Sequence, residues 1–293
     1  MDVRLLRYFA AVADEESITR ASAQLHISQP ALSRQIQQLE NELGCELFDR
    51  SGRTMTLTDK GMHLRKRADE ILELVSKTEA EMKEGASELK GVVSLGCGDL
   101  SAVELLSDLM GEFKAQHPDV DFDLYSATAD NVIERMDAGL IDIALLLEPV
   151  DVTKYEYVPT GVSDQWVICM AADDPLAKKE SISADELKGR PLILPRRRGS
   201  RGALFRWLDA AGVKHGRTST ANLSPGAAVL CKRAGWRAVM IEGSVENWKE
   251  DAVTCVPLDP PLEASSVIAW RRDGALGGAS RAFAKFIREK LSS

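Results

Sequence analysis

A chain of 293 residues with 44% hydrophobic and 28% charged residues has an ordinary globular composition, and its length makes room for a small module beside a larger domain. Its best apolar run, residues 140–147, carries Asp142 and falls far short of the roughly 18 residues that span a bilayer, and the N-terminus enters an amphipathic pattern with no apolar signal core, so a cytoplasmic protein without a membrane partner is expected. The net charge of −8, with seven Lys and Arg against nine Asp and Glu in the first sixty residues, excludes any argument for nucleic-acid binding from overall basicity; such affinity has to come from the placement of particular side chains.

Leu6, Phe9, Ala10 and Ala13 repeat at helical spacing, which predicts an amphipathic helix over residues 2–13. Ser17 is a candidate N-cap for a short second helix with Ala21 and Leu25 facing inward, and His26 and Ile27 make the turn that follows. Ser28 can cap a third helix, with Pro30 in its first turn, where a missing N–H costs nothing. Leu32, Ile36, Leu39 and Leu43 are expected on its inner side. Gln29, Pro30, Ser33, Arg34 and Gln37 then face outward, a set able to read base edges: Arg for guanine, Gln for adenine, Ser for bases or phosphate. A merely solvated polar face is the competing reading. A turn at Ser51 and Gly52 followed by alternation over residues 53–57 predicts a short hairpin, a wing whose arginine can enter a minor groove or bind phosphate.

The runs Ser17-Ile18-Thr19-Arg20-Ala21-Ser22 and Leu25-His26-Ile27-Ser28-Gln29-Pro30-Ala31-Leu32-Ser33-Arg34-Gln35-Ile36, with Leu39-Glu40, Leu43-Gly44, Leu47-Phe48, Arg50, Arg53, Leu57-Thr58 and Gly61, resemble the signature of LysR-type transcriptional regulators. The resemblance implies an all-α winged helix-turn-helix over residues 1–58 that binds double-stranded promoter DNA. It implies a recognition helix from Gln29, with Gln29, Pro30, Ser33 and Arg34 at the bases and Ser17, Thr19, Arg20, Arg50 and Arg53 as backbone or wing contacts.

Thr58 can cap a long helix to about residue 87, on which Leu64, Ala68, Ile71, Val75, Thr78 and Met82 alternate spacings of four and three, a coiled-coil seam. At roughly 45 Å it is too long for a sixty-residue module to cover. A homodimer is therefore expected, placing two recognition helices on two half-sites. Docking of the helix on its own chain is the alternative. The linker helix and hinge are assigned to residues 59–90.

Beyond residue 91, strand-like runs at residues 92–95, 122–125, 141–147, 165–170, 192–194, 238–241 and 266–270 alternate with helix-like segments at 102–116, 131–138, 203–211, 227–233 and 281–291, an α/β order. Phe113 with His117-Pro118-Asp119-Val120, Gly139 with Ile141-Asp142-Ile143-Ala144, Asp174-Pro175-Leu176-Ala177 and Leu187-Lys188-Gly189-Arg190-Pro191-Leu192-Ile193-Leu194 resemble the LysR-type effector region. What this implies is a two-lobed, periplasmic-binding-protein-like domain over residues 91–293, lobe one at 91–162 and 266–293 and lobe two at 163–265. The resemblance further implies a homotetramer and RNA polymerase as partner.

In such a fold the ligand lies between the lobes, at strand ends and helix N-termini that favour anions. Gly96-Cys97-Gly98-Asp99-Leu100-Ser101 and Thr128 are candidates on one side, and Pro195-Arg196-Arg197-Arg198-Gly199-Ser200 on the other. The effector residues expected are therefore Asp99, Ser101, Thr128, Arg196, Arg198 and Ser200. The arginines suggest a carboxylate or phosphate effector, with solvated loop arginines as the alternative. Trp236 and Arg237 stand where the family has a Gly-x-Gly turn, so Trp236 either narrows the cleft or covers the surface.

The five cysteines are scattered without a C-x-x-C pair, as expected of reduced, buried thiols. The four histidines lack metal-ligand spacing, and neither metal nor cofactor is expected. An enzyme of the same two-lobed fold is opposed by the missing third glycine after Gly96-x-Gly98 and by the want of a nucleophile elbow at Gly199-Ser200-Arg201-Gly202. A transport-type binding protein is opposed by the DNA-binding module.

Overall fold

The computed structural model describes residues 1–50, 54–83, 89–151, 153–196, 201–213, 219–222, 224–245, 253–273 and 276–292. The chain divides into two compact units, Met1–Lys83 and Glu84–Ser293.

In the first unit, helix α1 spans Val3–Glu15, with the Asp2 side chain accepting from the Arg4 amide. Leu6, Phe9 and Ala10 are buried along it as predicted, together with Leu5, Ala11 and Val12, whereas Ala13 is only half-buried. Glu16 turns the chain through the left-handed region (φ 47°) into α2, Ile18–Gln24, whose N-cap is Ser17. His26 (φ 54°) makes the next turn into α3, Gln29–Leu43, after N-cap Ser28. Leu32, Ile36 and Leu39 are fully buried, whereas Leu43, expected beside them, is 40% exposed because the helix ends there at left-handed Gly44. The wing is a short antiparallel pair, β1 at Phe48–Asp49 and β2 at Thr56–Leu57. Phe48 returns to the core against Phe9, ring centroids 5.3 Å apart.

Helix α4 spans Asp59–Lys83. Thr58 Oγ1 accepts from the Gly61 amide at 3.0 Å and donates to the Glu46 carbonyl. A side chain at Gly61 would bring its Cβ within 2.1 Å of the Leu47 carbonyl oxygen, so the helix approaches the wing only because this residue is glycine.

The second unit is α/β, in two halves. The first contains β3 (Gly91–Cys97), α5 (Val103–Gln116), β4 (Val120–Ser126), α6 (Ala129–Asp137) and β5 (Ile143–Leu147). A 17-residue strand, β6 (Tyr155–Ala171), carries the chain into the second: β7 (Ile182–Ser183), β8 (Leu192–Pro195), α7 (Arg201–Ala210), β9 (Ser219–Ala221), α8 (Ser224–Ala234), β10 (Arg237–Ile241) and β11 (Val253–Asp259). Strand β12 (Glu263–Arg271) returns, and α9 (Gly278–Leu291) closes the first half.

The strand order is β4-β3-β5-β12-β6-β10-β8-β9, with β11 also paired to β6. Strands β3, β4 and β5 run parallel, as do β8, β9 and β10. The two sets meet on β6, whose residues 155–165 pair with β12 and whose residues 166–169 pair with β10. The β6–β12 register slips between Ser265 and Val267, a local bend in the passage between the halves. There Thr160 Oγ1 and Ser266 Oγ share a buried 2.6 Å hydrogen bond. Phe113 of α5 and Phe283 of α9 pack with centroids 4.9 Å apart under the first half.

Three cysteines, Cys97, Cys169 and Cys231, are buried as expected, but Cys45 and Cys255 are only half-buried. Burial raises the Cys231 thiol to a pKa of about 11.

Candidate functional sites

On the first unit, α3 turns Leu32, Ile36 and Leu39 inward, and its opposite face carries Gln29, Pro30, Arg34 and Gln37 exposed and Ser33 half-buried. Arg34 makes no ion pair among the described residues, so its guanidinium is available. Ser17 is engaged as the N-cap of α2, its Oγ accepting from the Arg20 amide at 3.3 Å. Thr19 and Arg20 are exposed on that helix, Arg20 Nε bonding Glu15 Oε2 at 3.0 Å. Arg53 lies outside the described residues.

Arg50 is held from below. Glu40, on the C-terminal half of α3, accepts from the Arg50 guanidinium at 2.8 Å through one carboxylate oxygen. The other accepts from the Leu47 amide at 2.9 Å and the Phe48 amide at 3.3 Å. One carboxylate therefore fixes the first strand of the wing to α3 and orients its arginine. Sequence reasoning missed this role, because Glu40 reads as one more polar residue on a helix; only the chain's return at Leu47 creates the amides that it caps.

On α4 the expected seam divides. Leu64, Ala68 and Ile71 pack into the first unit's own core, Ala68 completely. Val75 is half-buried, and Thr78 and Met82 are exposed, Met82 by 77%. With Leu74, which is 41% exposed, these last three line one apolar face. The outward apolar stripe thus starts at Leu74, about three turns later than the spacing suggested.

In the second unit a cavity of about 530 Å³ opens at the C-terminal ends of β3, β4, β5, β8, β9 and β10, where the strand order reverses direction and helices start on either side. Its floor is apolar: Leu145, Leu146 and Leu147 from β5, Ile193 and Leu194 from β8, and Ala238, Val239 and Met240 from β10. Trp166, 3% exposed, contributes from β6. Asp99, Thr128 and Arg196 all lie in its wall, brought together from three connections.

Thr128 is the N-cap of α6, Oγ1 accepting from the Asn131 amide at 3.4 Å. The first turns of α6 and α8 both open on the cavity, at Ala129 and Asp130 and at Ser224 and Pro225. Such turns carry amides without intrahelical partners and the positive end of the helix dipole. Arg196 and Asp99 are exposed there, supplying one cation and one anion. Arg198 and Ser200 lie outside the described residues.

Ser101 is not in the cavity wall. Its Oγ donates to Asp164 at 2.6 Å, so the protein's own carboxylate occupies the end of α5. The glycines near it differ in purpose: a Cβ at Gly96 would stand 2.6 Å from Val132 Cγ1, so Gly96 serves the packing of α6, while Gly98 faces the cavity. Trp236 covers the cluster of Val167, Cys169, Ala227 and Cys231 instead of narrowing the cleft. Arg237 is buried and paired with Asp174 at 2.5 Å. Trp166 was legible as part of a strand, but not as cavity wall.

Among the described residues no cluster of His, Cys, Asp or Glu could hold a metal ion, and no helix is long and apolar enough to cross a membrane.

Residues 3–62 match the family described as bacterial regulatory helix-turn-helix protein, lysR family, and residues 86–292 match the LysR substrate binding domain. The chain is 28% identical over 296 residues to the RuBisCO operon transcriptional regulator of Allochromatium vinosum, covering 98% of this chain and 95% of that one. It is 27% identical over 299 residues to the Hca operon transcriptional activator HcaR of Escherichia coli (strain K12), covering 100% and 99%. The match to the HTH-type transcriptional regulator BsdA of Bacillus subtilis (strain 168), 37% identical over 146 residues, spans 50% of each chain.

Among solved structures, CbnR, a LysR family transcriptional regulator, shares the fold with a TM-score of 0.72 at 20% identity over 100% of both chains. Full-length CbnR complexed with its target DNA gives 0.71 at 20% identity over 99% of each. Matched across both its N-terminal helix-turn-helix domain and its C-terminal substrate-binding domain, the chain belongs to the LysR family of DNA-binding transcriptional regulators.

Proposed function

We propose that this regulator controls transcription by binding promoter DNA through α3 and the wing, and that a small carboxylate-bearing effector in the cavity of the second unit modulates that binding. The observation that carries the effector reading is the convergence of two helix N-termini and Arg196 on a cavity with an apolar floor. Its volume falls within the roughly 300–1,000 Å³ of small-molecule sites. Amides at a helix N-terminus and a guanidinium favour an anion, and the apolar floor favours a hydrocarbon body, so an organic acid fits better than inorganic phosphate. Asp99 adds a place for an amine or hydroxyl on the same ligand.

The DNA-facing residues of this reading are Gln29, Pro30, Ser33, Arg34 and Gln37 at the bases. Ser17, Thr19, Arg20, Arg50 and Arg53 serve phosphates or the minor groove. A homodimer joined through the stripe of Leu74, Val75, Thr78 and Met82 presents two such faces to successive major grooves. The family resemblance extends this to a tetramer and to contact with RNA polymerase. Chromosomal DNA as the target makes the cytoplasm its place of action. Catalysis forms no part of the proposal.

The test is a melting-shift screen of small organic acids against the full chain, followed by footprinting of the promoter beside its own coding sequence. An acid that raises the melting temperature of the wild type, but not of Arg196→Ala, and alters the footprint supports the reading. Identical shifts in both proteins refute the role of Arg196, and an unchanged footprint at saturation refutes modulation.

A further inference from the structure

Asp164 sits on β6 where that strand passes between the two halves, opposite Ala264 of β12, and it is 2% exposed. Its carboxylate forms no ion pair among the described residues. Three donors satisfy it instead, and they come from both halves. Ser101 Oγ donates at 2.6 Å and the Ser101 amide at 3.3 Å, from the segment that leads into α5. The Gly243 amide donates at 2.9 Å, from the segment that follows β10. A buried charge is tolerated only with such complete hydrogen bonding, and the positive end of α5 adds to it.

The donors adjoin the cavity wall. Ser101 follows Asp99 and Leu100, and Gly243 lies between Ile241 and Ser244, all four of which line the cavity. The contact is also too tight for any other residue at 243. A Cβ there would stand 2.2 Å from the Ser101 nitrogen and 2.6 Å from both Ser101 Oγ and Asp164 Oδ1.

We propose that Asp164 is the positioning residue that ties the two walls of the cavity together, so that a ligand displacing either wall acts on the DNA-binding state through these bonds. This rests on the cavity being the effector site. A carboxylate that merely filled a polar gap would need donors from one half only; donors from both make its bonds sensitive to their relative placement.

The test uses the full chain without ligand, as wild type, Asp164→Asn and Ser101→Ala, with two readouts: hydrogen exchange of the segments containing Ser101 and Gly243, and the footprint on DNA selected by the wild type from a random pool. Asp164→Asn is expected to speed exchange about tenfold in both segments together, because each loses a bond to a charged acceptor, and to alter the footprint with no ligand present. Ser101→Ala keeps the carboxylate and is expected to give the same footprint change at smaller amplitude; it carries the test if Asp164→Asn fails to fold. Faster exchange in one segment alone overturns the proposal, and so does faster exchange in both with an unaltered footprint. Because both readouts are taken without ligand, their outcome stands apart from the organic-acid screen. A negative screen beside a positive result here would count against the choice of ligand alone.

Discussion

Replacing Glu40 by alanine separates the roles of the two groups that it holds. The variant removes the acceptor of the Leu47 and Phe48 amides, at 2.9 and 3.3 Å, in residues that are themselves 1% and 2% exposed. A hydrogen bond to a charged acceptor is worth about 1.5–3 kcal/mol, and a buried amide left without a partner costs a similar amount. The 3.3 Å bond is long and counts for less, so Glu40→Ala should destabilise the first unit by about 2–4 kcal/mol. Arg50, with a side chain 46% exposed, contributes to the same pair as a surface ion pair, worth about 0–1 kcal/mol. Arg50→Ala should therefore leave stability almost unchanged and weaken DNA binding alike on specific and random sequences.

The assay is urea unfolding of the full chain. All five tryptophans lie beyond residue 83, at 166, 207, 236, 248 and 270. Their fluorescence reports on the second unit, while an earlier loss of far-ultraviolet ellipticity reports on the helical first unit. Glu40→Ala should lower the midpoint of the ellipticity change and leave the fluorescence midpoint in place. Equal midpoints for Glu40→Ala and Arg50→Ala would refute the assignment of the carboxylate to the wing backbone.

Arg34→Ala should weaken binding to DNA selected by the wild type about tenfold or more, as the loss of an arginine–guanine pair of about 1–3 kcal/mol requires, with a much smaller effect on random DNA; equal losses in a competition assay would make Arg34 a phosphate contact. Burial opposes ionisation of Asp137, but hydrogen bonds from Lys154 and Tyr155 outweigh it and hold the carboxyl below its ordinary value of 3.8. Because the folded-state pKa is depressed, the stabilisation is present above pH 3.8 and is lost as pH falls through the folded value. The stability gap between wild type and Asp137→Asn, read by the fluorescence midpoint in urea, should therefore be constant near neutrality and close in strong acid; a gap that widens on acidification reverses the sign of the argument. Thiol labelling near neutrality should reach Cys45 and Cys255 first and Cys231 last, since burial keeps the Cys231 thiol protonated up to a pKa of about 11; early modification of Cys231 would contradict that burial.

Local patterning determined the elements that carry the family motif. The spacing of Leu32, Ile36 and Leu39 set which face of α3 is outward, because a helix of 3.6 residues per turn leaves no other choice once three apolar side chains share a core. The caps at Ser17 and Thr58 were legible for the same reason, each depending on atoms a few residues away. In the second unit the apolar runs located the central strands. The first half of β6 and the whole of β11 were missed: they mix charged residues with Pro159 and Pro257, and pairing to β12 and to β6 supplies what their own composition does not.

Tertiary structure alone decided which residues meet. Glu40 becomes the anchor of the wing only when residues 47 and 48 return beneath α3. Leu64, Ala68 and Ile71 satisfy the spacing of a dimer seam, yet Ala68 is buried in the unit's own core and Leu64 and Ile71 pack partly against it, because the same apolar period serves either partner. Ser101 and Asp164, 63 positions apart, are joined across the passage between the halves of the sheet, and Gly243 closes on them from a third segment. A sequence records which side chains can donate and accept. Which donor stands opposite which acceptor is set by strand order and register, and those are properties of the folded chain.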